Sequence, residues 1–369
     1  MQFDGRFFVA DSDDPHTDQF GFRSIRPDLQ GTLFEHYDFR LLPDFGAGRA
    51  VIQDAYVDIR YTDVAKVRVG KFKVGFGLER LQGEAQTTFV ERGLPSLLTP
   101  NRDLGIQVFG EFVGGALAYQ VGVFNGVADS ASSDGDISDD KEGAARVFVR
   151  PWASGPAIVK ELGVGAAVTY GDTHGTPAAT DLAQLKTQAQ TTFFTYKVGQ
   201  ALMDTDTVIA DGRHWRWTAQ GYWYAGPFGV LAEYVRSTQH VALAGTHLRP
   251  TAEAWQALAQ WVITGDDATY KSVTPKHPFD PAKGDFGAVD IAVRIGELRF
   301  RDSEIFDDGF ADPAKSARRA WSAGVGVDWF ANKAFRFVLD LERTWYTLGS
   351  KTGDRAAETS ITGRAQLVF

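Results

Sequence analysis

Polar and apolar residues alternate along most of this chain, in segments of roughly ten residues that turn residues separate. Such alternation places successive side chains on opposite faces of a strand. Around residues 54–61 one face is apolar and the other is charged. The apolar positions are Ala55, Val57, Ile59 and Tyr61, and the charged positions are Asp54, Asp58 and Arg60. The pattern predicts an all-β chain whose strands have two different faces.

Tryptophan brackets small or aliphatic residues on several of these segments. Trp255 and Trp261 enclose an alanine-rich stretch, and Trp321 and Trp329 enclose alternating small and aliphatic residues. Aromatic residues near both ends of a strand are typical of the two membrane–water interfaces. The sequence therefore predicts a transmembrane antiparallel β-barrel. A soluble β-sandwich has the same alternation and remains the alternative at this point.

The chain contains about 17 strand-like segments, with boundaries uncertain by a few residues. Residues 189–198 are among the segments that we interpret as wall strands. Because single-chain bacterial barrels have even strand numbers, we expect 16 strands, with the first and last segments sharing one closing strand. The alternative is 18 strands, with a further strand inside a long loop. Residues 1–369 are predicted to form a single barrel domain.

Composition and charge exclude several other classes of protein. No stretch approaches the roughly 18 consecutive apolar residues of a helical membrane span. The chain has 39 Gly, 13% aromatic residues and no Cys, which favours strands and tight turns and removes disulfide frameworks and Cys-bound metals. A net charge of −9 leaves no excess of basic residues to neutralise nucleic-acid phosphates. We therefore expect no nucleic-acid partner.

Both ends of the sequence agree with an outer-membrane protein. The N-terminus is an alternating segment rather than a signal peptide, so we expect a mature chain from which the signal has been cleaved. The last segment alternates up to Phe369, and a terminal aromatic residue on such a strand resembles the outer-membrane insertion signal. The predicted location is the outer membrane of a Gram-negative bacterium, in contact with outer-membrane lipid and lipopolysaccharide.

Motifs for catalysis, metal binding or cofactors do not emerge from the sequence. The acidic stretch 129–142 lacks the spacing of an EF-hand, and its interpretation is a solvated loop, with calcium binding as the alternative. The seven His are dispersed, and no nucleotide-binding or hydrolase motif is present. We predict no enzyme activity, no metal ligands and no cofactor. A barrel-embedded hydrolase is the remaining alternative, because a catalytic trio can be distant in sequence.

Several stretches resemble the phosphate-selective porin O and P family in residues, order and spacing. They are Gln53-Asp54-Ala55-Tyr56-Val57, Gly70-Lys71-Phe72-Lys73, Phe76-Gly77-Leu78-Glu79 and Thr88-Phe89-Val90-Glu91-Arg92. The resemblance implies a 16-stranded porin, a homotrimer and a third loop that folds inward and narrows the pore. Here that constriction loop corresponds to residues of about 76–102.

The resemblance also implies passive diffusion of small hydrophilic solutes and ions, with a preference for anions or phosphate. Basic rings in a pore attract anions because the low-dielectric wall focuses their field. The candidate pore-lining or constriction residues are Arg23, Arg26, Arg60, Lys71, Lys73, Arg80, Arg92 and Arg102. The family's early basic run is incomplete, because Ser24 replaces one arginine and Pro27 interrupts the strand. A general or cation-preferring porin is therefore the alternative.

Overall fold

A computed structural model describes residues 1–9, 18–135, 138–199 and 206–369. Within these residues, one sheet of 19 strands contains nearly all of the strand structure, and a separate two-stranded sheet lies in a connection. The pairings between neighbouring strands are antiparallel throughout the large sheet, as the alternating sequence predicts.

The structure confirms an all-β chain. The strands are β1 (Gln2–Val9), β2 (Gln19–Ser24), β3 (Leu29–Leu33), β4 (Tyr37–Asp44), β5 (Val51–Ile59), β6 (Lys66–Lys73), β7 (Arg102–Phe112), β8 (Leu117–Phe124), β9 (Glu142–Val149), β10 (Glu161–His174), β11 (Leu185–Lys186), β12 (Thr192–Phe194), β13 (Ile209–Ala225), β14 (Phe228–Leu243), β15 (Thr246–Leu248), β16 (Thr251–Val262), β17 (Ala288–Phe300), β18 (Ala317–Phe330), β19 (Phe335–Ser350), β20 (Gly353–Asp354) and β21 (Glu358–Leu367). The connections contain the helices α1 (Leu78–Leu81), α2 (Ala157–Lys160) and α3 (Glu304–Asp307) and the 3₁₀ turns Gly46–Gly48 and Leu94–Leu98.

The first and last strands are neighbours in the large sheet. β1 pairs with β21 over its whole length, from Gln2 opposite Gln366 to Val9 opposite Thr359, and also pairs with β2. β2 and β3 are separated only by residues 25–28, which include Pro27; β2 pairs with β1 and β3 pairs with β4. Proline lacks the backbone donor that a sheet ladder requires, so the ladder breaks at the predicted position.

Two details of the predicted strand pattern are wrong. Residues 189–198 contribute only Thr192–Phe194, which pair with Leu185–Lys186 in the small sheet and not in the large one. Phe193 and Phe194 of this segment belong to the main buried hydrophobic cluster, and Tyr196 packs against it, which explains the apolar pattern without a wall strand. The first and last segments also do not share one strand, because each is a separate strand and the two pair with each other.

The two faces of the large sheet differ as the alternation predicts. Apolar side chains such as Val293, Val325 and Leu339 remain exposed on one face, which we call the outer face. Charged and amide side chains such as Arg294, Asp340 and Gln256 are buried on the opposite face, which we call the inner face. A soluble β-sandwich would bury its apolar face, so this arrangement argues against that alternative.

Aromatic side chains form two rows on the outer face. One row includes Trp321 and Trp345, with ring centroids 4.8 Å apart, and the other includes Trp329 and Phe337 at 5.5 Å. Trp321 and Trp329 lie on the same strand, separated by roughly 26 Å at the usual rise per residue. That spacing matches the height of the apolar band of a membrane barrel.

Long connections lie mostly at one end of the sheet. This end, which we call the loop end, carries the connections 74–101, 125–141, 175–208 and 301–316, whereas the opposite end carries the short turns 34–36, 113–116, 226–227 and 331–334. The connections 150–160 and 263–287 are the exceptions, because they are longer and lie at the short-turn end. None of the helices within the described residues has the length and apolar character needed to cross a membrane.

Candidate functional site

The connection 74–101, which we call the inner segment, lies across the inner face of the large sheet. It leaves β6 and is hydrogen-bonded to strands on the far side. The backbone amides of Leu78 and Val90 donate to the carboxylates of Glu233 on β14 and Asp340 on β19, at 2.7 and 2.6 Å. Arg364 on β21 donates to the carbonyl oxygen of Val90 at 2.9 Å. These contacts fix the segment in place, because buried backbone groups are costly to leave without partners.

A buried ionic cluster holds the middle of the inner segment against β16, β17 and β19. The Arg294 guanidinium pairs with Glu342 on β19 and Glu79 of the inner segment, and it lies 4.1 Å from the centre of the Phe89 ring. Gln256 donates to the Glu79 carboxylate at 2.8 Å. The approach is so close at Gly93 that a Cβ there would lie 1.8 Å from the Gln256 amide oxygen. A side chain at position 93 would therefore displace the Gln256 amide, which is bonded to Glu79.

Two further connections fill the same half of the interior. From the short-turn end, Tyr270 of the connection 263–287 stacks on Tyr222, and its hydroxyl donates to the carbonyl oxygen of Leu78 at 2.5 Å. From the loop end, the described part of the connection 175–208 packs Phe194 against Phe300 at 4.1 Å between ring centroids. Thr187 donates to the inner-face carboxylate of Glu358 at 2.7 Å. The interior beside β13–β19 is thus occupied by side chains.

A cavity of about 790 Å³ remains on the other side of the inner segment, and we call it the side cavity. It lies between the inner segment and the inner faces of β2–β8 and β21. Its charged lining side chains are Arg26, Arg40, Arg68, Lys73 and Arg102, which are basic, and Asp28, Asp54 and Glu84, which are acidic. Basic side chains therefore outnumber carboxylates at this cavity, although the whole chain has a net charge of −9.

Most of the basic side chains at the side cavity are held by carboxylates. Arg26 binds Asp44 and Glu84, each at 2.7 Å, and Arg102 binds Asp54 at 2.8 Å. Burial raises the pKa of the Glu84 carboxyl, but the attraction of Arg26, Arg92 and Arg23 outweighs it and holds that pKa below its usual range. Glu84 is therefore charged at neutral pH, and its ion pair with Arg26 orients that guanidinium.

Lys73 and Arg92 differ from the other basic groups. The Lys73 ammonium donates to the carbonyl oxygens of Arg80 and Gln82 at 2.9 and 2.6 Å, and Arg92 donates to the same Gln82 oxygen at 2.8 Å. Within the described part of the chain, neither has a carboxylate within 4.0 Å. These two basic groups thus meet at one carbonyl oxygen beside the cavity.

The structure brings together only part of the predicted set. Arg26, Lys73 and Arg102 line the side cavity, and Arg92 lies beside it in the inner segment. Arg23 pairs with Glu91 of the inner segment at 3.3 Å.

The other three predicted residues lie away from the cavity lining. Arg80 is buried within the inner segment, where it donates to Thr99 at 3.0 Å and to the Ser96 carbonyl. Lys71 pairs with Asp134 of the connection 125–141. Arg60 pairs with Asp38 at 2.9 Å at the end of β5, next to the short-turn end.

Sequence reasoning missed two arginines of the side cavity, Arg40 on β4 and Arg68 on β6. Arg68 binds Asp58 at 2.6 Å and lies 3.9 Å from the centre of the Tyr56 ring. Arg40 binds Asp54 at 3.2 Å. The alternation along the chain could have identified both arginines. Asp54 and Asp58 are predicted to lie on the charged face of β5, and β5 lies between β4 and β6. Charged side chains on β4 and β6 that pair with these two carboxylates lie on the same face and therefore line the same cavity.

The acidic stretch 129–142 forms ion pairs. Asp129 and Glu142 bind the guanidinium of Arg216, each at 2.6 Å. Asp134 pairs with Lys71, and Asp140 lies 2.8 Å from the His174 ring. Asp136 is outside the described residues. These carboxylates tie the connection to the sheet.

Comparisons with known proteins agree with this architecture. A family model described as phosphate-selective porin O and P matches residues 1–369. Porin O of Pseudomonas aeruginosa is 22% identical over 374 residues, covering 94% of this chain and 82% of that protein.

Solved structures share the same fold. The outer membrane channel DcaP of Acinetobacter baumannii matches with a TM-score of 0.60 and 9% identity, over 98% of this chain and 94% of that one. An anion-selective porin from Comamonas acidovorans matches with a TM-score of 0.58 and 10% identity, over 100% of this chain and 99% of that one. The large antiparallel sheet is thus a fold that outer-membrane channels use.

Proposed function

Because the chain belongs to the phosphate-selective porin O and P family and is an outer-membrane porin of Gram-negative bacteria, we propose that it forms a closed 16-stranded barrel with a one-sided, anion-preferring passage. The chain is a channel and not an enzyme. Solutes cross it by passive diffusion. The side cavity is the narrow part of that passage, and the inner segment is the constriction loop.

The strand pairings support closure with 16 wall strands. β1 pairs with β2 on one side and with β21 on the other. The first and last strands of the large sheet are therefore paired with each other, and neither leaves a free edge. β15 with β16 form one wall strand, because they are consecutive and both pair with β14. β2 with β3 form another, because they are consecutive and together lie between β1, which pairs with β2, and β4, which pairs with β3. β11, β12 and β20 belong to hairpins in connections and are not wall strands.

The observation that carries the proposed anion preference is the excess of basic side chains at the side cavity. Five basic side chains, Lys73 among them, and three carboxylates line it, and Arg92 lies beside it as a sixth basic group. Among the described residues, neither Lys73 nor Arg92 has a carboxylate within 4.0 Å. A narrow passage with low-dielectric walls focuses the field of such charges and raises the local concentration of anions. Inorganic phosphate and other small anions are therefore the proposed preferred solutes.

The test is the zero-current potential of purified protein in a planar bilayer under a KCl gradient. We expect chloride to permeate more easily than potassium, and we expect added phosphate to reduce the chloride current. The combined substitution Lys73→Gln and Arg92→Gln should lower the chloride-to-potassium permeability ratio by at least about twofold. The matched control is Lys283→Gln, because Lys283 is exposed in the connection 263–287 and away from the cavity.

Other outcomes identify the alternatives. A wild-type channel that prefers potassium, or shows no preference, contradicts the anion proposal and leaves a general porin. An equal shift with Lys283→Gln shows that the whole-protein charge matters and not the side cavity. Absence of any conductance overturns the channel assignment itself.

We propose a homotrimer. The part of the wall that contains the short strands β1, β4 and β6, which we call the low side, faces the neighbouring copies. β1, β4 and β6 have 8 residues each, whereas β13, β14 and β19 have 17, 16 and 16. Eight residues span at most ~26 Å along the strand, about half of what sixteen residues span, so the wall is lower on this side. The exposed phenylalanines Phe3, Phe7, Phe20 and Phe22 cluster on this side. Another copy buries these phenylalanines in the proposed trimer, whereas lipid covers the apolar outer face elsewhere on the wall.

A further inference from the structure

A cleft of about 420 Å³ lies at the loop end of the sheet, at the top of β17, β18 and β19, and we call it the arginine cleft. The residues that line it are Arg299, Phe300, Arg301, Arg318, Arg319 and Thr347. Every ionisable side chain in this lining is an arginine. Neither the inner segment nor the side cavity contributes to it.

Two carboxylates beneath the cleft hold its arginines in position. Glu253 on β16 binds Arg301 at 2.9 Å and Arg299 at 3.3 Å. Glu297 on β17 binds Arg319, and it lies 3.7 Å from Arg299. The two carboxylates are largely buried, whereas the side chains of Arg299, Arg301 and Arg319 keep 55%, 52% and 50% of their surface exposed. The guanidinium groups are therefore oriented from below and open above.

Positive charge exceeds negative charge in this group. Arg318 donates to the carbonyl oxygens of Phe300 and Arg301, at 3.3 and 2.8 Å. These bonds do not neutralise its charge, and they leave Glu253 and Glu297 to the other arginines. Arg236 on β14 reaches Glu253 at 3.7 Å and adds a further positive charge. Four arginines thus share two carboxylates, and Arg318 is a fifth arginine beside them. The planar fork of a guanidinium is the geometry that binds phosphate through two hydrogen bonds.

Strand register places the arginines just above an aromatic row. Arg299 and Arg319 lie opposite each other on neighbouring strands, and Trp321 lies two residues below Arg319 on the same outer face, roughly 7 Å along the strand. Trp345 is opposite Trp321 and continues the row. Tryptophan rows mark the membrane–water interface, so the arginines lie at the height of the lipid head groups. Below the row the outer face is apolar.

We propose that the arginine cleft binds the phosphate groups of a phosphorylated glycolipid of the outer leaflet, with its acyl chains against the apolar outer face below. The cleft opens on the outer face and not into the passage, and the long connections at this end are the ones that outer-membrane barrels direct outward. A lipid-borne phosphate fits both the charge above and the apolar surface below. This inference rests on the proposed placement of the barrel in the membrane, and it is independent of the ion preference of the passage.

The experiment titrates the detergent-solubilised wild-type protein with bis-phosphorylated lipid A and, separately, with dephosphorylated lipid A, and measures bound lipid by native mass spectrometry. We expect the phosphorylated form to bind at least about tenfold more tightly, because charge-assisted hydrogen bonds are lost without phosphate. The combined substitution Arg299→Gln, Arg301→Gln and Arg319→Gln should remove that preference.

Two controls make the result specific to the cleft. Arg213→Gln removes an outer-face arginine of similar exposure that pairs only loosely with Asp172, at 3.8 Å, and should leave lipid binding unchanged. The triple Arg→Lys variant keeps the charge but not the guanidinium fork, and it should bind the phosphorylated lipid with intermediate strength. The wild-type comparison of the two lipids needs no variant, so it stands even when the triple Gln variant fails to fold.

Several outcomes overturn the proposal. Equal binding of the two forms of lipid A by the wild-type protein shows that the cleft does not recognise phosphate. Full displacement of the lipid by an equimolar amount of inorganic phosphate shows a site for free anions and not for lipid. The zero-current potential of the same preparations separates this proposal from the proposed function. A wild-type protein that is anion-selective but binds both forms of lipid A equally contradicts the cleft alone, whereas a wild-type protein that prefers the phosphorylated lipid but is not anion-selective contradicts the anion-preferring passage alone.

Discussion

Arg216 is fully buried on the inner face of β13, with 0% of its side chain exposed, and it joins three parts of the molecule. Its guanidinium binds Asp129 of the connection 125–141 and Glu142 of β9, and it donates to the carbonyl oxygen of Val127 at 2.5 Å. A buried guanidinium with this many partners is stabilising mainly because removing it leaves the partners unpaired. The same residue therefore fixes both a wall strand and a loop-end connection.

The substitution Arg216→Met should lower the free energy of unfolding by about 3–5 kcal/mol, because two buried carboxylates lose their counter-charge. Arg213→Met, three positions earlier on the same strand, should change it by no more than about 0.5 kcal/mol, because its pair with Asp172 is half exposed and 3.8 Å long. The measurement is urea unfolding of the protein folded into phospholipid vesicles. Equal losses for the two variants contradict this account of Arg216.

At the scale of elements, the connection 263–287 departs most from the expected pattern of short turns at this end. It buries Ala268 and Val273 against Tyr224 and Phe330, and Tyr270 reaches the inner segment. Because this connection supports the inner segment from below, the proposed passage is confined to the opposite half of the interior. The inner segment, the connection 263–287 and the described part of the connection 175–208 together fill the other half.

Replacement of residues 266–285 by a short glycine-containing turn should raise single-channel conductance, because the cross-section beside β13 and β16 then opens to water. Tyr270→Phe keeps the ring on Tyr222 but removes the hydroxyl that donates to Leu78, so its effect should be a smaller rise or added current noise. Planar-bilayer recording measures both. Unchanged conductance in the shortened protein shows that the inner segment and the connection 175–208 close this half of the interior without the connection 263–287.

At the scale of the whole molecule, the wall is low on one side and high on the other. The low side carries the phenylalanine cluster around Phe3 and Phe20, and the high side carries the complete apolar band between two aromatic rows. The membrane has the same thickness around the whole barrel. Lipid therefore covers the high wall, whereas the neighbouring copies of the proposed trimer cover the low wall. The two sides should therefore respond differently to an added charge.

Phe20→Arg, on the low side, should shift the proposed trimer to monomers, which light scattering in detergent detects, and should leave each barrel folded. Val293→Arg, near the middle of β17 on the high side, should keep the oligomeric state but reduce the free energy of unfolding in vesicles by about 2–4 kcal/mol. A trimer that persists with Phe20→Arg contradicts the proposed interface. A trimer that dissociates with Val293→Arg instead places the interface on the high wall.

Alternation and aromatic position were sufficient to predict the all-β class, the two faces and the membrane setting. Both signals depend on whether a residue has an odd or an even position within one strand, as for Trp321 and Trp329. Neither signal requires knowledge of contacts between distant parts of the chain. The same rule failed at residues 189–198, because a buried hairpin in a connection also contains closely spaced aromatic residues, here Phe193, Phe194 and Tyr196. Likeness to a family, and not periodicity, indicated that residues 76–102 fold inward.

The sequence by itself therefore determined the strands, their faces and the kinds of residue available to line a passage. Only the tertiary structure decided which basic groups meet there, because the meeting residues are far apart along the chain. Arg336 binds the carbonyl oxygen of Thr88 across 248 positions, and Tyr270 binds that of Leu78 across 192. Arg60 and Arg68 are both charged strand residues, yet only Arg68 lines the side cavity. The register of the sheet and the path of the connections through its interior set that difference, and neither is a local property of the sequence.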